Sequence, residues 1–243
     1  MWYTTDYGVT YKIAFEFGSR NTTTPAGSWQ IRHVHSVFYY EPDDVYIVNT
    51  GDSNASECMV FGMRYHYPND TFTCELIAGP ERYYKWTSIA LWDGWLYYSW
   101  DNSYGEIRRC KYEDIADKEK HEIVLDHMYN DANVILIGQN GDMIATNDCY
   151  RNLAGQTLPI PFDILEASRV FYYSNNGKDF NRVIFPVSFL NGHCTIRTYL
   201  PTLSDGRIFV SAMPEMGGTK FVSMCLNDIL YNAGYRDALL PRL

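Results

Sequence analysis

Apolar and polar residues alternate in short runs along most of the chain, and four segments repeat one plan. Each segment has an apolar run, a tight polar turn, a second apolar run and then an acidic residue. The four segments span residues 35–52, 87–101, 133–148 and 195–215. Short alternating runs are typical of half-buried β-strands rather than of helices. The pattern therefore predicts four β-hairpins.

The polar turns of these hairpins carry a recurring type of dipeptide. The dipeptides are Asp43-Asp44, Asp93-Gly94, Asn140-Gly141 and Asp205-Gly206. Asp-Gly and Asn-Gly favour a two-residue type I′ turn, because both central residues of that turn need a positive φ. We therefore expect tight hairpins at these positions.

Further strand-like runs follow each hairpin. Two follow each of the first three hairpins, at 59–65 and 71–77, at 107–112 and 121–125, and at 169–173 and 183–189, and one follows the fourth at 220–226. The acids at the first three hairpin ends are 49 and 47 residues apart, and a Pro-containing stretch at 151–168 lengthens the last interval. A four-stranded unit of about 45–50 residues is typical of a β-propeller blade. We predict an all-β chain with one propeller domain over residues 1–243 and a single helical pattern at 226–240.

Composition narrows the classes of partner. The net charge is -9, and Lys and Arg do not cluster, so we expect no nucleic-acid partner. Apolar runs fall short of the roughly 20 residues of a membrane span, and the N-terminus lacks the pattern of a signal peptide, so we expect no membrane association and leave the localisation open. The six cysteines lack metal-finger spacing, and we expect neither a metal nor a cofactor.

Two short segments resemble a known motif. Residues 4–11 (TTDYGVTY) match the Asp-box pattern Ser/Thr-x-Asp-x-Gly-x-Thr-aromatic, and residues 173–180 (YSNNGKDF) form a degenerate copy with Asn175 in place of the Asp. The segment 33–52 also looks like part of sialidase-like Asp-box proteins. The chain thus resembles the Asp-box (BNR repeat) family of sialidase-like β-propellers.

This resemblance implies a fold and a place for each box. In the family the fold is a propeller of four-stranded antiparallel blades. The box is the turn between the third and fourth strands of a blade, on the face away from the active site. Asp6 is therefore expected to be structural, accepting backbone N–H bonds. The chain favours five blades; four blades, or a truncated ring completed by a homo-oligomer, are the alternatives.

The repeat also predicts which side chains share a face. Strands of a blade alternate in direction, so the ends of second strands and the starts of first strands lie at one end of the sheets. The first group is acidic and comprises Asp52, Asp101, Asp148 and Glu215. The second group comprises Arg32, His33, His35, Arg82, Trp86 and His193. We expect the acids to be catalytic and the second group to bind substrate.

These residue types fit the cleavage of glycosidic bonds, which uses one carboxyl group as acid and another as nucleophile or base. A strand-end acid can instead simply accept hydrogen bonds from the next turn. His33 and His35 lie two apart on a strand and so share a face, suited to substrate contact, proton transfer, packing or, less in keeping with the pattern, a metal. Arg32 suits a forked contact with a carboxylate or hydroxyls, and Trp86 suits stacking on a sugar or core packing.

The chain also departs from sialidases. It has no Arg-Ile-Pro segment, and the three carboxylate-binding arginines cannot be assigned. We therefore predict a glycoside hydrolase acting on an oligosaccharide or glycoside other than a sialoside. A non-catalytic carbohydrate-binding or assembly propeller and a polysaccharide lyase are the alternatives.

Overall fold

The computed structural model describes residues 1–19, 29–52, 54–101, 105–126, 128, 132–137, 142–147, 170–184, 207–212 and 220–225. Within these ranges every regular element is a β-strand or a three-residue 3-10 turn, so the described chain is all-β, as its pattern predicts. No helix in these ranges is long and apolar enough to cross a membrane.

The chain begins with four very short strands. They are β1 (Trp2–Tyr3), β2 (Lys12–Ile13), β3 (Gly18–Ser19) and β4 (Gln30–Ile31). β1 and β2 form an antiparallel ribbon with Trp2 opposite Ile13. β3 and β4 form a parallel pair.

The first four-stranded sheet contains β5 (Val34–Tyr40), β6 (Val45–Thr50), β7 (Met59–His66) and β8 (Thr71–Ala78). The strands are antiparallel and follow one another in chain order. The inner strand β6 and the first part of β7 are buried, whereas the outer strands β5 and β8 are largely half-buried or exposed. The predicted first hairpin and the predicted strands at 59–65 and 71–77 are confirmed.

Two similar loops lie at one end of this sheet, between β5 and β6 and between β7 and β8. Each contains a 3-10 turn, Glu41–Asp43 or Tyr67–Asn69, followed by an aspartate with φ of 50°, Asp44 or Asp70. The polar turn predicted at Asp43-Asp44 is present as a loop over residues 41–44, in which Asp44 has a positive φ. Proline fixes a negative φ early in the loop and so favours the 3-10 turn.

The second four-stranded sheet contains β9 (Trp86–Trp92), β10 (Trp95–Trp100), β11 (Glu106–Cys110) and β12 (Glu122–Leu125), again in chain order. Asp93 and Gly94 have φ values of 49° and 69°. Positive φ at both residues confirms the predicted type I′ turn.

The third four-stranded sheet contains β13 (Ala132–Ile137), β14 (Met143–Asn147), β15 (Val170–Ser174) and β16 (Asn181–Ile184). β17 (Arg207–Ala212) and β18 (Lys220–Cys225) form an antiparallel pair. The predicted turns at 140–141 and 205–206 and the predicted helix at 226–240 lie outside the described residues. Three open sheets with the same strand order thus repeat along the described chain.

Contacts divide the chain into two compact units, residues 1–87 with 113–119 and residues 88–112 with 120–243. The core of the first unit contains Ile31, Val48, Met59, Phe61 and Met63. The core of the second unit contains Ala90, Tyr97, Ile107, Met128, Ile135, Met143, Ala145 and Tyr172. The first core lies mainly on the inner strands β6 and β7, and the second also includes residues of the outer strands β9 and β13.

Candidate functional site

The start of β5 and the end of β6 meet at one end of the first sheet, opposite the two similar loops. Val34 pairs with Thr50, and the Gly51 N–H donates to the His33 carbonyl oxygen at 3.4 Å. This pairing brings together four predicted site residues, Arg32, His33, His35 and Asp52, which we call the Arg32 cluster.

Arg32 and Asp52 form an ion pair between Nη1 and Oδ2. The Arg32 side chain is 56% exposed and the Asp52 side chain 17% exposed. Among the described residues, Asp52 is the only polar partner of the Arg32 guanidinium. Because a guanidinium carries five N–H groups, Arg32 retains donors for a bound ligand.

His33 and His35 face each other at the same end of the sheet. Their Nε2 atoms are 2.8 Å apart, and His35 Nδ1 lies 3.0 Å from the carbonyl oxygen of Trp86. A carbonyl can only accept, so His35 carries its proton on Nδ1. When both rings are neutral, His35 Nε2 therefore accepts the bond and His33 Nε2 donates it. The pair can hold or pass a proton at a solvent-reachable position.

Trp86 and Arg82 contribute to this end of the first unit in different ways. Trp86 is fully buried, and its Nε1 donates to the Tyr83 carbonyl oxygen at 3.2 Å. Its indole is therefore part of the core, and its carbonyl oxygen contacts His35 of the Arg32 cluster. Arg82 is exposed and is the first residue of the 3-10 turn Arg82–Tyr84.

Gly51 and Lys85 adjoin the cluster but were not predicted as site residues. Gly51 has a φ of 152°, and a Cβ there would lie 3.1 Å from Sγ of Cys58 and 3.5 Å from Cγ of Lys85. Burial raises the pKa of the Cys58 thiol, and the nearby charges of Lys85 and Arg82 oppose that rise. The glycine directly before Asp52 is a signal in the sequence that the backbone turns tightly here.

Four further residues are predicted to belong to the site. Asp101 follows β10 in the second unit and is partly exposed. Asp148, Glu215 and His193 lie outside the described residues. A ring of four acids therefore stays a prediction.

The first Asp-box segment forms a tight loop between β1 and β2. Asp6 Oδ1 accepts from the Thr10 N–H at 2.9 Å and from Thr4 Oγ1 at 2.7 Å, and Asp6 Oδ2 accepts from Thr10 Oγ1 at 2.6 Å. The Thr10 hydroxyl is the largest of the causes that lower the pKa of Asp6 to about 2. Both oxygens of Asp6 are thus engaged within the loop, which is a structural arrangement.

The second, degenerate segment forms the loop between β15 and β16, the third and fourth strands of their sheet. Here Asn176 Oδ1 accepts from Ser174 Oγ at 3.1 Å and from the N–H groups of Lys178 and Asp179 at 2.9 and 2.8 Å. The prediction that Asn175 takes the place of the Asp is wrong, because these bonds belong to Asn176. The loop is one residue shorter between its hydroxyl and its aromatic residue than the full pattern, which shifts the alignment.

No known family model matches this chain, and comparison with curated proteins finds no relative. Across the described ranges, no group of three or more His, Cys, Asp or Glu side chains is arranged to hold a metal ion. The Arg32 cluster is the set of predicted site residues that the described structure brings within contact.

Proposed function

We propose that this chain is an Asp-box β-propeller of the sialidase-like type that acts on carbohydrate, as a glycoside hydrolase with specificity for a sugar other than sialic acid. The observation that carries the proposal is the Arg32 cluster, where an exposed ion pair and a histidine pair share one sheet end. The sugar binds at this end of the first sheet.

Repetition of the sheets supports the propeller part of the proposal. Three antiparallel sheets have four strands in chain order, as blades do. The loop between β15 and β16 also has a box-like network at the point where Asp-box proteins carry their box. In a ring of five such blades, the cluster would lie on the face opposite the boxes.

The chemistry of Asp52 follows from its ion pair. Asp52 is a carboxyl group paired with Arg32, and a carboxylate serves as nucleophile or general base in glycoside cleavage. A second carboxyl group would serve as the complementary acid. The remaining N–H groups of Arg32 would donate to sugar hydroxyls, and these contacts orient the substrate next to Asp52.

A polysaccharide lyase is the second candidate, and the histidine pair favours it. The Trp86 carbonyl fixes the tautomer of His35, which in turn accepts from His33 Nε2. Neutral His33 then carries a lone pair on Nδ1, as a base that removes a proton next to a uronate carboxylate requires. Arg32 would hold that carboxylate.

A panel of neutral aryl glycosides and uronate-containing oligosaccharides tests these candidates together. Release of the aryl group from neutral glycosides supports the hydrolase. An unsaturated uronate product absorbing in the ultraviolet supports the lyase. Saturable binding measured by calorimetry, without any product, would indicate a carbohydrate-binding propeller instead of a hydrolase or a lyase. Absence of both binding and turnover would contradict the proposal.

A further inference from the structure

The histidine pair of the Arg32 cluster has the geometry of two converging ligands. The Nε2 atoms of His33 and His35 point at each other across 2.8 Å, and the ring centroids are 4.7 Å apart with planes inclined by 36°. Imidazole nitrogens in such an arrangement either share a proton or bind one metal ion between them.

His35 also makes the outer hydrogen bond of a metal ligand. A histidine that binds a metal through one nitrogen usually donates its other N–H to a carboxylate or a backbone carbonyl, which fixes the ring and its tautomer. His35 Nδ1 makes that bond to the carbonyl oxygen of Trp86, a residue that is fully buried and therefore firmly held. The lone pair of His35 Nε2 is thereby directed at His33.

His33 is held through its backbone and is adjustable through its side chain. Its carbonyl oxygen accepts from the Gly51 N–H, whereas its side chain is exposed. Two nitrogens bound to one tetrahedral Zn²⁺ at about 2.0–2.1 Å are about 3.3 Å apart. Opening the present 2.8 Å separation to that value requires rotation of the exposed His33 ring, and the proton on His33 Nε2 moves to Nδ1 so that Nε2 can bind the ion.

We propose that His33 and His35 form a binding site for a divalent transition-metal ion, with Zn²⁺ as the ion tested. No third His, Cys, Asp or Glu of the described residues completes a group around them, so water or ligand oxygens fill the remaining positions. Asp52 offsets the positive charge of the neighbouring Arg32, which would otherwise oppose a cation. The site does not depend on the proposed carbohydrate activity.

Isothermal titration of the full chain with Zn²⁺, in a buffer that does not chelate the ion, tests the site directly. We expect one ion per chain, with affinity lowered about tenfold or more by either His33→Ala or His35→Ala. His66→Ala is the matched control, because His66 bonds to Thr73 and has no imidazole partner among the described residues. It should leave the affinity unchanged.

A second measurement uses the unmodified protein and so does not depend on the folding of variants. Zn²⁺ should slow the reaction of His33 and His35 with diethyl pyrocarbonate while leaving His66 unaffected. Equal reaction rates with and without Zn²⁺, or Zn²⁺ affinity that is the same in all three variants and the original chain, would overturn the proposal and leave a shared proton as the role of the pair.

Discussion

The two ends of the first sheet both carry aspartates, but the surroundings of these aspartates differ. At the loop end, Asp70 Oδ1 accepts from the hydroxyls of Tyr3 and Tyr65 at 2.7 and 2.9 Å, and Asp70 Oδ2 pairs with Lys12. At the other end, Arg32 is the one side-chain partner of Asp52 among the described residues. The side chains of Lys12 and Arg32 are equally exposed, at 55% and 56%, so the number of partners is what differs.

The difference separates a structural carboxylate from one suited to binding a ligand. Asp70 joins the β1–β2 ribbon to the β7–β8 loop, and all its contacts lie within the protein. Arg32 and Asp52 can exchange contacts with a ligand, because the guanidinium has donors to spare. Residue type alone does not distinguish the two roles; the number and origin of the partners do.

The largest expected effect is on turnover by Asp52→Asn. Loss of the charged carboxylate should lower kcat/KM for a glycoside that the protein cleaves by about 10²–10⁴-fold, with the melting temperature nearly unchanged. Kinetics and thermal melts measure the two effects. Glu75→Gln, an exposed change on β8 of the same sheet, should change neither. Full activity in Asp52→Asn would remove Asp52 from the mechanism.

Asp70→Ala should give the opposite result and so sharpen the contrast. It removes the acceptor for two tyrosine hydroxyls and the partner of Lys12, so the melting temperature should fall by several degrees and proteolysis of residues 1–19 should become faster. The melting temperature of Asp70→Asn, which keeps one acceptor oxygen, should fall by less than that of Asp70→Ala. Turnover per folded molecule should not change in either variant; a catalytic defect without loss of stability would mean that the two ends have been assigned in reverse.

Low pH should remove the stabilisation that the structural carboxylates of Asp6 and Asp70 provide. The hydrogen bond from Lys12 is the largest of the causes that lower the pKa of Asp70 to about 2, and the Thr10 hydroxyl does the same for Asp6. The folded pKa is below the unfolded value of about 3.9, so the stabilisation is complete above that value and is lost as the pH falls towards 2. The melting temperatures of the original chain and of the double variant Asp6→Asn/Asp70→Asn should therefore converge as the pH falls from about 4 to about 2. A constant difference over that range would contradict the expectation.

The smallest expected effect is that of Tyr39→Phe at the loop end. The Tyr39 hydroxyl donates to Asp44 at 2.9 Å, but the side chain is 45% exposed, so water can replace the bond. The melting temperature should barely change by calorimetry, in contrast to Asp70→Ala. A fall as large as that of Asp70→Ala would show that the two similar loops contribute equally.

Local patterns in the sequence predicted much of the fold. Alternating apolar runs located the strands of the first sheet, and the Asp93-Gly94 pair identified the turn between β9 and β10 of the second sheet, because glycine tolerates the required φ. Residues 41–44 contain no glycine, and a proline there favours a longer loop. The Asp-box pattern did not distinguish Asn175 from Asn176, because only hydrogen bonds show which side chain faces the backbone of the loop.

The sequence by itself determined the strand repeat, and the alternation of strand direction was enough to predict that Arg32, His33, His35 and Asp52 share one end. Only the tertiary structure decided how these residues meet. Asp52 pairs with a residue 20 positions away, and His35 bonds to the carbonyl of a residue 51 positions away. It also decided that the Trp86 indole is buried. Such partners depend on how separate segments pack, since strand pairing brings together residues that no local pattern connects.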